Sequence, residues 1–238
     1  MRNGNNGRSC TDCQHCDSRF EGIFASLDAD ALRDLDHARI SHSYARGQML
    51  FLEGSACTGV FCVRSGLVKV SRSAPRDRQY VVYLAGPGAV VGLEAVFSGR
   101  EYSTSAAMIE DGTVCHIARE PLLRIIDENP HLTRSVLRLF AVQLLDSESE
   151  RSELSSADVR QRVAMRLLRL AQKHGVSDES GVVVSLNLTR EDLASMVGST
   201  PETAIRQLSE LRSKGIIATS GRSIRICDVE RLQRIART

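Results

Sequence analysis

Three cysteines crowd the start of the chain in the sequence CTDCQHC. Cys10, Cys13 and Cys16 follow a C-x2-C-x2-C spacing, which opens iron–sulfur runs in which cysteine thiolates bind iron, but the place of the run's fourth cysteine holds Phe20. Thiolates this close need a cation or a cluster to offset their mutual repulsion. The spacing therefore predicts a metal site whose fourth ligand lies elsewhere. Zinc with His15 as a ligand, or a set of reduced surface cysteines, are the alternatives.

A second group of residues indicates nucleic-acid chemistry. Residues 189–217 read as two short helices joined by a tight turn: Thr189 is a candidate N-cap with Asp192 three residues on, and Gly198 suits the turn. Thr200 can cap the next helix, and Pro201 suits a first helical position, where no N–H is needed. This pattern predicts a helix-turn-helix.

The second of these helices has an apolar stripe formed by Ala204, Leu208 and Leu211 and an outward face that could enter a DNA groove. Arginine pairs bidentately with guanine, and glutamate accepts from cytosine N4. Residues 216–226 read as a hairpin wing. The candidate DNA-binding residues are Glu202, Thr203, Ile205, Arg206 and Ser209 on the helix and Arg222 at the wing tip.

Two alternatives stay open for the outward face. Glu202 and Arg206 are spaced as an ordinary solvated i,i+4 ion pair. Ile205 could contact a thymine methyl group, or it could belong to the core.

Charge is distributed unevenly along the chain, whose 238 residues carry a net charge of only +2. Residues 158–238 hold 14 Lys and Arg against 9 Asp and Glu, so the positive charge lies with the helix-turn-helix, where it suits phosphate contact. With 42% hydrophobic residues the chain can bury a core, and its length predicts two domains. It has no apolar run long enough for a membrane span and no secretory h-region, so we expect a cytoplasmic protein without a membrane partner.

The elements that must position these groups follow from periodicity. Residues 27–40 read as an amphipathic helix, with Asp28 as a possible cap, and residues 48–117 as short strands of an antiparallel roll or barrel. A long helix is predicted from Asn129-Pro130 to about Ser155. Its heptad seam predicts a parallel dimer through Leu137, Phe140, Leu144, Ser147, Arg151 and Leu154.

The helix-turn-helix resembles that of the Crp/Fnr superfamily of bacterial transcription regulators, whose recognition helix carries an E-T-x-x-R core matched by Glu202, Thr203 and Arg206. The resemblance implies an α+β fold: an N-terminal antiparallel β-roll of the cyclic-nucleotide-binding type, a long dimerisation helix and a C-terminal winged helix-turn-helix. The expected divisions are a cysteine-rich arm at 1–22, a roll sensor domain at 23–128, a dimerisation helix at 129–156 and a DNA-binding domain at 157–238.

Within that superfamily the stretch VGLEAVFSG followed by TVCHI is most similar to the oxygen-sensing Fnr branch, in which a cysteine of the last roll strand is the fourth cluster ligand. Cys115 matches that position, and the resemblance implies a [4Fe–4S] cluster on Cys10, Cys13, Cys16 and Cys115 that responds to oxygen, redox state or nitric oxide. Cys57 and Cys62 read as buried hydrophobes.

The resemblance also implies partners: a homodimer, RNA polymerase, and double-stranded DNA with palindromic half-sites similar to TTGA or GTGA. Arg206 would contact a guanine of each half-site, and Glu202 the neighbouring base pair. Loss of the cluster would release the N-terminal arm and disfavour the DNA-binding dimer.

Other functions receive less support from the sequence. Cyclic-nucleotide binders place a Glu after the glycine and an Arg-Ser pair further on, whereas Leu93 follows Gly92 here, and Tyr102 and Ser103 lie near the Arg-Ser place. The alternative within the superfamily is a regulator with zinc, haem or an organic effector instead of a cluster. The chain lacks a hydrolase triad context and a phosphate loop, so no enzyme is expected.

Overall fold

The computed structural model describes residues 12–74, 78–185 and 187–237. The chain divides into two compact units. One combines Tyr83–Ala141 with the described residues up to Val70, and the other combines Ser71–Val82 with the described residues from Val142 onward.

The roll is built from short antiparallel strands, as predicted. In chain order they are β1 (Arg39–Tyr44), β2 (Met49–Phe51), β3 (Gly59–Val63), β4 (Val68–Ala74), β5 (Arg78–Ala85), β6 (Val90–Val91), β7 (Ser105–Met108) and β8 (Gly112–Ala118). One sheet has the order β1-β8-β3-β6 and the other the order β2-β7-β4-β5. Their facing side chains form an apolar core that includes Phe51, Phe61 and Met108.

Helices cover the outer face of the β1-β8-β3-β6 sheet. They are α1 (Ala29–Ala38), α2 (Leu93–Ser98), α3 (Arg119–Glu128) and the first half of α4 (Pro130–Ser156), and short 3-10 turns at Asp17–Glu21 and Ile23–Ser26 precede them. A second core joins Leu32, Leu122, Leu132 and Val136 from the helices to Ile117 from β8. The Asp28 carboxylate caps α1, accepting from the Asp30 and Ala31 amides, as expected. The short helix α2 was not predicted.

The second unit contains the predicted winged helix-turn-helix. Its elements after α4 are α5 (Val159–His174), β9 (Val176–Asp178), β10 (Gly181–Ser185), α6 (Arg190–Met196), α7 (Pro201–Ser213), β11 (Ile217–Ser220), β12 (Ser223–Ile226) and α8 (Val229–Arg237). The strands form one antiparallel sheet in the order β11-β12-β10-β9. Helix α8, which packs against α5, was missed by the sequence analysis, although VERLQRIAR carries a clear amphipathic period.

The long helix α4 spans the predicted residues and leaves most of its predicted seam at the surface. Leu137 and Leu144 are 62% and 58% exposed. Phe140 is half-buried, edge-on to Phe97 with ring centroids 5.7 Å apart. Leu154 contacts Gly198 of the helix-turn-helix while staying 43% exposed. Ser147 and Arg151 are also exposed. None of the helices in the described residues is both long and apolar enough to cross a membrane.

Candidate functional site

The first helix of the helix-turn-helix begins at the predicted capping box. The Thr189 hydroxyl accepts from the Asp192 amide at 3.0 Å, and the Asp192 carboxylate accepts from the Thr189 amide at 2.8 Å. Asp192 is buried, at 7% exposure, so these reciprocal bonds satisfy a charge that water scarcely reaches. The cap fixes where α6 starts and therefore the direction in which it enters the turn.

Two arginines of α5 hold the turn itself. Gly198 takes a left-handed φ of +58°, and the carbonyls that end α6 point toward α5. The Arg162 Nε donates to the Val197 carbonyl at 2.8 Å, and the Arg166 guanidinium donates to the Met196 carbonyl at 3.1 Å. Helix C-terminal carbonyls favour such cationic donors. These two arginines were not predicted, because the carbonyls that accept from them lie 30 or more residues further along the chain.

The second helix, α7, presents the predicted reading face. Thr200 caps it by accepting from the Thr203 amide at 3.3 Å, and Pro201 is its first residue. The predicted stripe is confirmed, since it lies in the core: Ala204, Leu208 and Leu211. The exposed residues at i, i+3, i+4 and i+7 are Glu202, Ile205, Arg206 and Ser209, while Thr203 is half-buried.

Two details define the chemistry of this face. Ile205 is 45% exposed, so the alternative that placed it in the core was wrong. Hydrogen bonds from its own backbone amide and from the Thr200 hydroxyl lower the pKa of Glu202, so its carboxylate stays an acceptor. The helix therefore offers an anion, an apolar branch and the Arg206 cation side by side, the groups that read base edges in a major groove.

The wing follows the reading helix as predicted. Strands β11 and β12 pair with Ser220 opposite Ser223, which leaves a two-residue turn of Gly221 and Arg222. Gly221 has a φ of +56°, the left-handed region that tight hairpin turns require. The turn leaves Arg222 exposed at the tip, where it can reach a phosphate.

A second candidate site is a mostly apolar cavity in the first unit, which we call the thiol cavity. It is lined by four cysteines, Cys13, Cys16, Cys62 and Cys115, and has a volume of about 30 Å³. That is room for one or two water molecules. Cys13 and Cys16 come from the segment before the first 3-10 turn, and Cys62 and Cys115 come from neighbouring strands β3 and β8.

An ion pair forms one side of the thiol cavity. The Arg39 guanidinium binds the Asp36 carboxylate at 2.8 Å and donates to the Cys115 sulfur at 3.8 Å. The same carboxylate accepts from the Cys13 amide at 3.0 Å, which ties the N-terminal segment to α1. Arg39 thus places a positive charge beside the sulfurs, where it would stabilise thiolates.

Burial raises the pKa of two thiols of the cavity, those of Cys13 and Cys62. It raises the pKa of the Cys13 thiol to about 12, although the Arg39 charge opposes the rise. Burial also raises the pKa of Cys62, and negative charge at Cys115, Cys16 and Cys13 raises it further. Negative charge at the other cavity sulfurs thus disfavours ionisation of Cys62.

The sequence analysis expected Cys13, Cys16 and Cys115 to meet, and the structure brings these three to the thiol cavity. Cys10 lies outside the described residues. Cys62, which the sequence analysis assigned to packing, is the fourth cysteine in the cavity. The signal that could have found it is its strand position, since Cys62 pairs directly with Cys115 in the β3–β8 register. His116, the next residue on β8, faces the other way, with its ring centroid 4.8 Å from that of Phe61.

The donor chemistry of the thiol cavity fits a thiophilic metal centre. Within residues 12–74, 78–185 and 187–237 no three His, Cys, Asp or Glu side chains lie close enough to hold a single metal ion. Zn–S bonds of about 2.3 Å would draw the sulfurs tightly together. An iron–sulfur cluster sets an iron between each cysteine sulfur and the cluster centre, so its ligands stand further apart. Given the cavity's volume, such a group would require the Cys13–Cys16 segment to move outward.

The interior of the roll does not fit a cyclic nucleotide. Tyr102, near the place where nucleotide binders carry Arg-Ser, is 2% exposed, donates to the Gly59 carbonyl at 2.7 Å and stacks on Phe51 with centroids 4.0 Å apart. The segment between Gly92 and Tyr102 contains a Glu and an Arg at other positions than in nucleotide binders. Arg100 is exposed, and burial raises the pKa of Glu94, which favours its neutral form. The described residues that form this core are apolar, so they offer no cation to pair with a buried cyclic phosphate.

A β-roll followed by a long helix and a winged helix-turn-helix, with an exposed Glu-Ile-Arg reading face, defines a DNA-binding transcription regulator with an N-terminal sensor domain. The comparisons agree with that class. The cyclic nucleotide-binding domain family matches residues 41–129, and the Crp-like helix-turn-helix domain family matches residues 161–235.

The chain is similar to the CRP-like cAMP-activated global transcriptional regulator of Mycobacterium tuberculosis, with 31% identity over 91% of this chain and 96% of that protein. It is 25% identical to the anaerobic regulatory protein of Pasteurella multocida over 95% of this chain and 83% of that one. The FixK2 structure from Bradyrhizobium japonicum superposes with a TM-score of 0.74 at 26% identity, covering 83% of this chain and 96% of that one. The chain belongs to the Crp/Fnr family, and it is a transcription regulator, not an enzyme.

Proposed function

We propose that this protein is a homodimeric regulator that senses oxygen or redox state, nitric oxide included, through an iron–sulfur cluster of the [4Fe–4S] type, and couples cluster state to dimerisation and operator binding. Because its target is DNA, we assign it to the cytoplasm. The observation that carries the proposal is the convergence of Cys13, Cys16 and Cys115 on one cavity from segments far apart in the sequence.

The residues of the thiol cavity suit this role. Cysteine sulfurs are the ligands that iron–sulfur clusters take, and such a cluster supplies one-electron chemistry and reactivity toward oxygen. Arg39 offsets part of the negative charge that several thiolates would bring into an apolar cavity. The similarity to the anaerobic regulatory protein of Pasteurella multocida supports an oxygen-related signal.

The reading face supports a specific operator. We propose that Arg206 donates to a guanine and Glu202 accepts from a neighbouring cytosine in a half-site similar to TTGA or GTGA, with Ile205 against a thymine methyl group. Thr203 and Ser209 extend the same face, and Arg222 of the wing binds the backbone. Two copies of α7 would read a palindrome, and bound dimers would contact RNA polymerase, as the family resemblance implies.

The exposed seam of α4 supports dimerisation. Leu137 and Leu144 leave large apolar side chains at the surface, which a second copy of the helix would cover. Beyond them the seam turns polar at Ser147 and Arg151, so the dimer should be marginal and easily biased by the sensor domain.

The deciding experiment compares the wild-type protein and Cys115→Ala after anaerobic purification. We expect the wild type to be coloured and to contain iron and acid-labile sulfide, and Cys115→Ala to contain little of either. Sedimentation equilibrium and operator titration should show tighter dimers and tighter DNA binding for the loaded wild type. A colourless, iron-free wild type that binds its operator equally well would overturn the sensing function.

A further inference from the structure

Besides the predicted ligands Cys13, Cys16 and Cys115, the thiol cavity is lined by a fourth cysteine, Cys62. Cys62 lies on β3 directly opposite Cys115 on β8. Residues directly opposite each other in an antiparallel pair project from the same face of the sheet, so both sulfurs point toward the segment that carries Cys13 and Cys16. All four line the same cavity.

We propose that Cys62 is a ligand of the cluster together with Cys13, Cys16 and Cys115, and that Cys10 is dispensable for cluster binding. This inference rests on the proposed function, since it names the fourth ligand of that same site. It completes a set of four thiolates from residues that line one cavity.

The neighbouring cysteines show why Cys62 differs from a packing residue. Cys57 is also half-buried in the roll, but it does not line the cavity, and its sulfur contacts the Gly59 carbonyl at 3.8 Å. Cys227 is exposed after the wing. Cys62 alone of these three faces other sulfurs and the Arg39 guanidinium across the cavity.

The spacing of the N-terminal cysteines is consistent with this assignment. Cys13 and Cys16 bracket a tight turn in which the Cys16 amide donates to the Cys13 carbonyl at 3.5 Å, so both sulfurs stay on one short segment. Two ligands from this segment and two from the sheet approach the cavity from opposite sides. Four cysteine thiolates match the four irons of a [4Fe–4S] cluster, each of which takes one cysteine ligand.

The test uses the full-length chain, purified and reconstituted anaerobically with ferrous iron and sulfide. The variants are Cys62→Val, Cys10→Ser and Cys57→Val, with the wild type in parallel. Valine suits a strand whose sequence is GVFCV, so Cys62→Val preserves packing while removing the sulfur. Iron and sulfide per chain, the visible absorbance and the thermal midpoint are measured for each.

We expect Cys62→Val to keep the thermal midpoint of the metal-free wild type and to lose at least five-fold in iron and sulfide. Cys10→Ser and Cys57→Val should load like the wild type. If Cys62→Val loads fully with an unchanged spectrum, or if Cys10→Ser loses the cluster while Cys62→Val keeps it, the inference is wrong.

Two controls separate the possible failures. If Cys62→Val does not fold, Cys62→Ser and Cys62→Ala are loaded in its place, and full loading of either folded variant also overturns the inference. A wild type that takes up no iron and sulfide refutes the proposed function itself, whereas a loaded wild type with a loaded Cys62→Val refutes only the role of Cys62.

Discussion

The helix-turn-helix takes its reading face from residues within two turns of one helix, whereas the thiol cavity takes its sulfurs from positions 13, 16, 62 and 115. In the first region each side chain is aimed by local devices, such as the Thr189 and Thr200 caps and the Gly198 turn. In the second it is strand pairing and a charge-paired arginine that bring the groups together. A site built from residues that are close in sequence can be predicted from that sequence. A site built from distant segments depends on how those segments pack, so changes elsewhere in the fold can affect it.

The comparison is tested most strongly by Arg206→Ala, which should weaken base reading without affecting the cavity. Losing a bidentate contact costs about 1–3 kcal/mol per half-site, so affinity for a palindromic duplex should fall roughly 30-fold or more. Fluorescence anisotropy at fixed salt measures this, with metal content determined on the same samples. Arg33→Ala, an exposed arginine on α1, is the control. Unchanged operator affinity for Arg206→Ala would mean that Arg206 of α7 does not contact the operator.

The cavity's ion pair provides the next test, because Asp36–Arg39 can be compared with Asp30–Arg33, another Asp–Arg pair at i,i+3 spacing. Arg39 is 12% exposed beside Asp36, whereas Arg33 is 58% exposed beside Asp30. Arg39→Met should lower the free energy of unfolding by about 2 kcal/mol because it leaves Asp36 without its cation.

Arg33→Met should change the free energy of unfolding by less than about 0.5 kcal/mol, as exposed pairs do. Urea denaturation of the metal-free protein measures both variants. Equal losses would mean that the half-buried Asp36–Arg39 pair does not stabilise the cavity wall.

A smaller effect is expected from the cap of α6. Thr189→Ala removes the hydroxyl that accepts from the Asp192 amide and should cost about 1 kcal/mol. Thermal unfolding should show a lower midpoint for the variant and an unchanged one for Ser213→Ala, an exposed hydroxyl at the end of α7. Metal content should not change in either, because the cap stabilises only the local site. A cluster loss in Thr189→Ala would contradict the separation of the two regions.

The smallest effect concerns pH. Burial, with help from the Lys173 charge, lowers the pKa of His174 at the end of α5, so the unfolded chain binds this proton more readily. Stability should therefore fall as pH drops below about 6.5, by less than about 1 kcal/mol from this group. His174→Gln should flatten the slope of unfolding free energy between pH 7 and pH 5.5, and exposed His131→Gln should not. Parallel slopes for wild type and His174→Gln would refute the assignment.

Sequence reasoning predicted the fold class, the caps of α1, α6 and α7, the wing and the long helix, because each depends on neighbours within a few residues. It missed Arg162 and Arg166 as donors to the turn, and it placed Cys62 among the packing residues. Those roles are created by pairing across long stretches of chain: Cys62 lies beside Cys115 only because β3 and β8 are adjacent. The periodicity of apolar residues and the spacing of cysteines do not show which strands become neighbours in a sheet.

Ile205 has a consequence for how this regulator can diversify. Its side chain is 45% exposed between Glu202 and Arg206 and lies outside the buried core, so we expect its replacement to cost less folding free energy than replacement of a buried residue. Substitutions at residue 205 can therefore change the operator sequence that is preferred while the fold is kept. A saturation library at residue 205 can be selected on operators that differ only at the base pair next to the guanine. It should yield stable proteins with altered base preference at that position.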